Sequence, residues 1–233
     1  MHEILFSCDA PQYRLGLCSC VFCLLSVFVL PSPLAILCRR KIIFPSERTV
    51  EVSEGAQPLV AAARKRLKSL VVYDPRYVGI DYPNGDVPAA IGVCSDVVIR
   101  SLRKAYGFDL QQAVHEDMKA NFSAYPAIWG LTTTDKNIDH RRVANLEVYF
   151  SRMGQDLPIT KDAKDYEPGD IVAWRLDGNS GKGGPAHIGI VSERLGVTGN
   201  PLIIHNVGGG PEESDMLFEH QITGHYRVVP AAL

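Results

Sequence analysis

Apolar residues recur at helical spacing in the first part of the chain's body. Val98, Leu102 and Tyr106 lie four positions apart and Gly107 follows them, so the pattern predicts an amphipathic helix from Val93 to Tyr106 that ends at the glycine. Apolar spacing, N-caps and stop signals predict three more helices in the same way. These span Pro58 to Leu70, Leu110 to Phe122 behind the cap Asp109, and Arg141 to Met153 before Gly154.

Short runs rich in β-branched residues replace the helical pattern after residue 170. Glycine, asparagine and proline separate these runs, which is typical of an antiparallel sheet. The predicted strands are Ile171 to Leu176, His187 to Ser192, Leu202 to Asn206 and His225 to Val229. Helices followed by strands, without alternation, predict an α+β fold.

A long uncharged segment precedes the predicted domain. Leu15 to Cys38 carries no charged residue over 24 positions, and about 20 residues suffice for a helix that crosses a bilayer. We therefore predict membrane association through residues 15–38 and a location in the cell envelope, either periplasmic or membrane-anchored. Three interpretations of the segment stay open: a poor signal peptide, a signal anchor, or an upstream extension foreign to the native protein. The predicted division is residues 1–54 for the targeting segment and linker, and residues 55–233 for the folded domain.

The overall composition is that of a globular protein without strong electrostatic character. Hydrophobic residues make up 46% and charged residues 21% of the chain, and the formal net charge is -2. Because the basic residues are scattered, we predict no nucleic-acid partner. Five of the six cysteines lie within the first 38 residues, which leaves Cys94 as the one thiol of the predicted domain. No array of CxxC motifs occurs there, and we predict neither a metal nor a cofactor.

Cys94 stands in the first turn of a predicted helix, where a nucleophile is favoured. Free N–H groups and the positive end of the helix dipole stabilise a thiolate and lower the pKa of the thiol. His187 begins one predicted strand, and His205 and Asn206 end the next. If these strands are antiparallel neighbours, His205 or Asn206 can hold the ring of His187 in the correct tautomer, which completes a nucleophile, a base and an orienting group. The alternative is structural: a packed cysteine, and histidines that are hydrogen-bonded at strand ends.

Four sequence blocks carry a resemblance to a known enzyme family. They are Gly92 to Asp96, Pro168 to Trp174, His187 to Val191 and Ile204 to Asn206. In this order they resemble the NlpC-type papain-like cell-wall peptidases. From Tyr73 to Pro230 the chain more closely resembles a bacterial YijF-type domain of unknown function. The segments that match it are Val114 to Met118, Trp129 to Leu131, Asn137 to Arg142 and Ile222 to Tyr226.

The resemblance implies a papain-like NlpC-type fold, in which N-terminal helices, with the nucleophile at a helix N-terminus, pack on an antiparallel β-sheet. It assigns Cys94 as the nucleophile, His187 as the general base and His205 as the third polar residue. Tyr82 lies 12 residues before Cys94, a spacing similar to that of an active-site tyrosine in the family, which implies a role near the oxyanion. Two features depart from the family pattern: Asp96 replaces a small residue, and the two histidines are 18 positions apart.

We therefore predict a cysteine-dependent amide hydrolase that acts on peptidoglycan stem peptides through a Cys-His-His site. Arg141 is a candidate for binding a substrate carboxylate, Asn206 for the oxyanion region, and Trp129 for a sugar platform or, alternatively, a core position. The run Gly178 to Pro185 is interpreted as a mobile loop over the site. Three alternatives stay open: a zinc hydrolase that uses the same cysteine and histidines, a non-catalytic cell-wall-binding module, and an acyltransferase.

Overall fold

The structure is a computed structural model that describes residues 48–176 and 186–228 of the 233-residue chain. The predicted membrane-directed segment, residues 15–38, and the loop predicted at Gly178 to Pro185 lie outside the described residues. Within the described ranges, no helix combines the length and the apolar character needed to cross a membrane. The domain boundary between residues 54 and 55 and the location in the cell envelope stay predictions.

Helices come first in the described chain, and all four were predicted. Gly107 ends the second helix with a left-handed φ of 68°, and Asp109 caps the third by accepting the N–H of Gln111 at 3.2 Å. The fourth helix begins two residues later than predicted, because Asp139–Arg141 form a short 3-10 turn. The helices are α1 (Gln57–Arg66), α2 (Cys94–Tyr106), α3 (Leu110–Ala120) and α4 (Val143–Arg152).

Strands follow the helices and build an antiparallel sheet. Two short strands, β1 (Val72–Tyr73) and β2 (Ile91–Gly92), pair in parallel just before α2. The main strands are β3 (Ile171–Arg175), β4 (Ala186–Leu195), β5 (Pro201–Asn206), β6 (Pro211–Ser214) and β7 (Gln221–Tyr226). Their order in the sheet is β6-β5-β4-β3-β7, with antiparallel pairing throughout. The α+β class is thereby confirmed, although β6 was not predicted and β7 begins earlier than expected.

The sheet has two buried faces, which we call the helix face and the opposite face. On the helix face, apolar side chains pack with Cys94 against the helices; they are Ile171, Ala173, Ile188, Ile190 and Ile204. On the opposite face, a second cluster contains Tyr166, Val172, Trp174, Val191, Ile203, Met216 and Leu217. Side chains alternate along a strand, so successive residues of β4 belong to different faces. The face of a residue therefore decides which groups it can reach.

Candidate active site

Cys94 occupies the first position of α2 and lines a cavity. The backbone N–H of Val93 donates to the Asp96 carboxylate at 2.6 Å, which satisfies a free donor at the start of the helix. The cavity has a volume of about 400 Å³, and Trp129 and Arg141 line it together with Cys94. The thiol thus lies at a helix N-terminus, next to space that a small ligand can fill.

Burial dominates the electrostatics of this thiol. Only 4% of Cys94 is exposed, and desolvation raises the pKa of the thiol to about 11. Hydrogen bonds from the backbone N–H groups of Ile188 and Ser95 lower the pKa, but by less. The expected effect of the helix N-terminus is therefore outweighed by burial, and Cys94 is a protonated thiol at neutral pH.

His187 and His205 lie on the other side of the sheet from Cys94. In β4, Ile188 packs with Cys94 on the helix face, whereas His187 tilts toward Trp174 on the opposite face, with ring centroids 6.1 Å apart. Within the described ranges, neither imidazole forms a hydrogen bond with the thiol. The predicted arrangement of Cys94, His187 and His205 is therefore not formed, because the alternation of β4 presents Ile188 rather than His187 to the cysteine.

The same separation affects the zinc alternative. A zinc site needs its ligand atoms about 2 Å from one ion, so all of them must point into one space. Across the described part of the chain, no three histidine, cysteine, aspartate or glutamate side chains converge in this way. The sheet itself stands between Cys94 and the two histidines, so this ligand set is not assembled.

The two histidines instead bind each other. His187 Nε2 and His205 Nδ1 are 3.0 Å apart, with the rings at 89°, so one nitrogen donates and the other accepts. Burial, with a smaller contribution from His205, lowers the pKa of His187 to about 3. Burial also lowers the pKa of His205 to about 4. Both rings are therefore neutral at neutral pH.

The tyrosine beside the thiol is Tyr73, not Tyr82. Tyr82 packs edge-on against His115, with centroids 5.1 Å apart, and its hydroxyl lies 3.4 Å from Glu116; it is not among the residues that line the cavity. Tyr73 lines the cavity with Cys94. Burial raises the pKa of the Tyr73 phenol, and the nearby Cys94 and Asp96 groups, which would repel a phenolate when ionised, raise it further. Its position in β1 follows from the pairing of β1 with β2, which leads directly into Cys94.

Arg141 and Asp96 form a buried ion pair at the cavity wall. The guanidinium binds the carboxylate through Nε at 3.0 Å and Nη2 at 2.9 Å, and the two side chains are only 2% and 4% exposed. The Ser95 hydroxyl also donates to the Arg141 carbonyl at 2.8 Å. Among the described residues, Arg141 Nη1 has no hydrogen-bond partner. Asp96, which departs from the family pattern, therefore orients an arginine whose third nitrogen is available to a ligand.

Trp129 forms the rim of the cavity, and Asn206 lies elsewhere. The Arg142 guanidinium stands 4.2 Å from the centroid of the Trp129 ring, and 37% of Trp129 is exposed, so this tryptophan is not a core residue. Asn206 is 1% exposed and accepts the N–H of Gly208 at 3.3 Å. It is not among the residues that line the cavity.

Comparison with known proteins places the chain in a family. The sequence matches the family described as "Domain of unknown function (DUF1287)" over residues 60–228, which is most of the chain. The chain belongs to the DUF1287 family. It is also 53% identical over 165 residues to "Uncharacterized protein YijF" of Escherichia coli (strain K12), an alignment that covers 71% of this chain and 78% of the relative. The YijF-type resemblance is therefore confirmed.

A solved structure is similar at a lower level. It is an N-acetylmuramoyl-L-alanine amidase from Bacteroides uniformis ATCC 8492, with a TM-score of 0.44 and 14% sequence identity, and the match covers 75% of this chain and 98% of that chain. A similarity of this size leaves the NlpC-type likeness as a prediction from the sequence motifs.

Within this DUF1287 domain the predicted site residues fall into two groups. Cys94, Arg141 and Trp129 line the cavity. The sheet separates His187 and His205 from it. Tyr82 packs on α3, and Asn206 lies at the end of β5. Tyr73 was not predicted from the sequence. The signal that could have found it is an aromatic residue in a short β-run just before the Asp74-Pro75 turn.

Proposed function

We propose that this DUF1287 domain is a cysteine-dependent amide hydrolase with Cys94 as its nucleophile. The observation that carries the proposal is the position of the thiol, which lines the cavity and accepts hydrogen bonds from the backbone N–H groups of Ile188 and Ser95. Such groups stabilise the negative charge that develops on sulfur during attack. Arg141 and Tyr73 line the same cavity and supply further donors.

The reaction would use the cavity residues as follows. Sγ of Cys94 bonds to the carbonyl carbon, and Arg141 Nη1 and the Tyr73 hydroxyl donate to the carbonyl oxygen as it gains charge. The C–N bond then breaks, and the thiol proton leaves on the departing amine. Water hydrolyses the resulting thioester, which restores the thiol and releases the acid.

The substrate class follows from the resemblance and the cavity together. The NlpC-type motifs imply a peptidoglycan stem peptide, a substrate that carries free carboxylates. With Arg141 assigned to the carbonyl oxygen, the guanidinium at the cavity wall that could meet a carboxylate is that of Arg175, which is paired with Glu147 at 3.0 Å. Guanidinium groups bind carboxylates well, while Trp129 and Ile128 add an apolar rim. With this substrate, we propose that the protein works in the cell envelope and that residues 15–38 direct it there.

A second candidate function is a binding module that does not cleave its ligand. The raised pKa of Cys94 favours it, since a protonated thiol is a weak nucleophile. The cavity residues are the same, with Arg141 and Trp129 holding the peptide. The two functions differ in whether a product forms.

Digestion of purified muropeptides, followed by mass spectrometry, tests both. We expect the wild type to release cleaved peptide, and Cys94→Ala to release none. Ser101→Ala is the matched control, because Ser101 is also a small buried residue of α2, and it should cleave as the wild type does. Equal cleavage by Cys94→Ala would overturn the proposal. Retention of muropeptides without product, by wild type and Cys94→Ala alike, would establish the binding module instead.

The role of the strand histidines is tested in the same assay. Because the sheet separates His187 from Cys94, His187→Gln should retain cleavage, provided that circular dichroism shows a folded variant. A folded His187→Gln without cleavage would contradict the separation of the two groups and restore a cysteine-histidine pair.

A further inference from the structure

Ser214 ends a line of three hydrogen-bonded side chains on the opposite face. Its Oγ lies 2.6 Å from His205 Nε2, and His205 Nδ1 lies 3.0 Å from His187 Nε2. The three residues belong to three neighbouring strands, β6, β5 and β4, so the sheet itself holds the line in place. Both histidines are 2% exposed, while Ser214 is half-buried. The hydroxyl is thus the end of the line that faces solvent.

Two proton arrangements fit this line, because each of its hydrogen bonds can run in either direction, and one of them suits catalysis. Each neutral imidazole carries one hydrogen, so one nitrogen donates and the other accepts. A serine hydroxyl that donates to His205 Nε2 leaves the ring hydrogen on Nδ1, and this hydrogen points at His187 Nε2. Burial, which lowers the pKa of both rings, keeps them in the neutral forms that this arrangement needs. The order is hydroxyl, base and orienting group, as in a catalytic triad.

We propose that Ser214 is a second nucleophile of this protein, activated by His205, with His187 as the positioning residue that sets the tautomer of His205. Its substrate class is an ester or a comparably activated acyl group. Nothing in the proposed cysteine hydrolase function involves Ser214, and the sheet separates it from Cys94. The two centres therefore act independently.

The acyl transfer would proceed in balanced steps. Ser214 Oγ bonds to the acyl carbon while its proton moves to His205 Nε2. The resulting imidazolium is stabilised by Glu212, whose Oε1 lies 3.6 Å from Nε2. His205 then gives the proton to the departing alcohol as the ester C–O bond breaks. Water hydrolyses the acyl-serine through the same nitrogen, which restores the hydroxyl.

The position of β6 indicates how a substrate would approach. This strand is the outermost in the order of the sheet, so its outer backbone groups are free for pairing within the described residues. An extended peptide ester can pair with such an edge through its own amide groups. The Ser214 side chain projects onto the opposite face beside this edge, so the ester group would have to reach over that face.

A fluorophosphonate probe tests the proposal on the full chain. The probe reports an activated serine because Oγ displaces fluoride at phosphorus, and the serine proton leaves as hydrogen fluoride. We expect one adduct, located on Ser214 by peptide mass spectrometry, in the wild type and equally in Cys94→Ala. Ser214→Ala should lose the adduct. No labelling of the wild type, beside a serine hydrolase that labels in the same tube, would overturn the proposal, as would an adduct that persists in Ser214→Ala.

The role of His187 needs a kinetic readout. In His187→Gln the amide oxygen still accepts the Nδ1 hydrogen of His205, so labelling should continue at a reduced maximal rate. In His187→Leu no acceptor is present, and we expect the maximal rate to fall a further tenfold or more, with the half-saturating probe concentration unchanged. Equal rates in these two variants, both shown to be folded by circular dichroism, would assign His187 a structural role only.

Discussion

The two faces of the sheet place their polar groups in opposite ways. On the helix face, Cys94 is a single thiol in an apolar layer, and the charge of nearby Asp96 is neutralised by its ion pair with Arg141. On the opposite face, His187 and His205 hydrogen-bond to each other. A buried polar group needs a partner, and each face meets this need with its own residues. Groups that are adjacent in sequence can therefore belong to separate chemical systems.

The difference arises from the packing of β4. The two isoleucines Ile188 and Ile190 fill the layer against α2, and the alternation then directs His187 and Gly189 to the other side. At Gly189 an added Cβ would lie 2.6 Å from Ile203 and 3.1 Å from the Cβ of His205. The lack of a side chain at Gly189 thus allows β5 to bring His205 close to His187.

The pH dependence of alkylation at Cys94 is the largest effect that we expect. A thiol with a pKa of about 11 gains thiolate tenfold per pH unit below that value, so its reaction rate with iodoacetamide should rise about 1,000-fold from pH 7 to pH 10. Mass spectrometry of the Cys94 peptide measures the rate, and glutathione in the same tube serves as a reference whose rate levels off earlier. A rate that is already maximal at pH 7 would mean that a nearby positive charge stabilises the thiolate. The helix face would then contain an activated nucleophile, and the contrast between the two faces would not hold.

The Arg141–Asp96 ion pair should dominate the stability of the helix face. Arg141→Ala leaves a buried carboxylate without its partner, and we expect the free energy of unfolding to fall by about 3–5 kcal/mol. Arg76→Ala is the matched control, since its ion pair with Asp74 has an arginine that is 82% exposed, and the loss of this pair should lower the free energy of unfolding far less. Urea denaturation measures both. Similar costs for the two variants would show that Arg141 is solvated in solution.

The opposite face should be sensitive to acid. The pKa values of His187 and His205, about 3 and about 4 in the folded protein, lie below the value of about 6.5 for an unfolded chain. Between these values the unfolded chain binds protons that the folded chain does not. Stability should therefore fall as the pH drops below about 6.5, by about 1 kcal/mol per pH unit for each histidine, and should be unaffected by them above that pH.

Urea denaturation between pH 7 and pH 4.5 measures this slope. His187→Gln should show a shallower fall in the free energy of unfolding than the wild type, because it has one buried histidine fewer. An identical slope in the two proteins would mean that His187 is not buried in its neutral form.

Gly189→Ala is expected to have the smallest effect in this series. Its methyl group would collide with Ile203 on the opposite face, and overpacking of this kind costs about 1–3 kcal/mol. Gly79→Ala is the control, because nothing lies within 4 Å of a Cβ at that position, and its stability should change by less than about 0.5 kcal/mol. Thermal unfolding of the two variants side by side measures the difference. An unchanged melting temperature in Gly189→Ala would indicate that β4 and β5 are farther apart in solution than in the structure.

Much of the fold could be predicted from the sequence, because its signals are local. Gly107 ends α2 through its own left-handed backbone conformation, and Asp109 caps α3 through a hydrogen bond to a residue two positions away. Both features occur as predicted. Strand β6 was missed because Glu212 and Glu213 make it polar, and an edge strand tolerates such residues. In this strand Glu213 is anchored by Arg64 of α1 at 2.9 Å, a contact across 149 residues that no local pattern reveals.

The candidate site was harder to predict, because it depends on which residues of β4 face the helices and which face the other side of the sheet. Two isoleucines alternate with His187 and Gly189 at the start of β4, and this short pattern is compatible with either set of residues facing the helices. The volume of Ile188 and Ile190 decides between them, and that volume matters only once α2 is in place. The position of Tyr82 depends on a long-range contact in the same way: a hydrogen bond from Gln111 to the Asp81 carbonyl at 2.8 Å holds its segment against α3, and spacing from Cys94 does not reveal this.

The clamp around Arg141 has a mechanical consequence. Its side chain donates to the Asp96 carboxylate, and its carbonyl accepts the hydroxyl of Ser95. The two residues that follow Cys94 are therefore both hydrogen-bonded to one residue of a distant turn. A displacement of the guanidinium by a bound carboxylate would therefore be transmitted through these hydrogen bonds to the first turn of α2, which holds the sulfur.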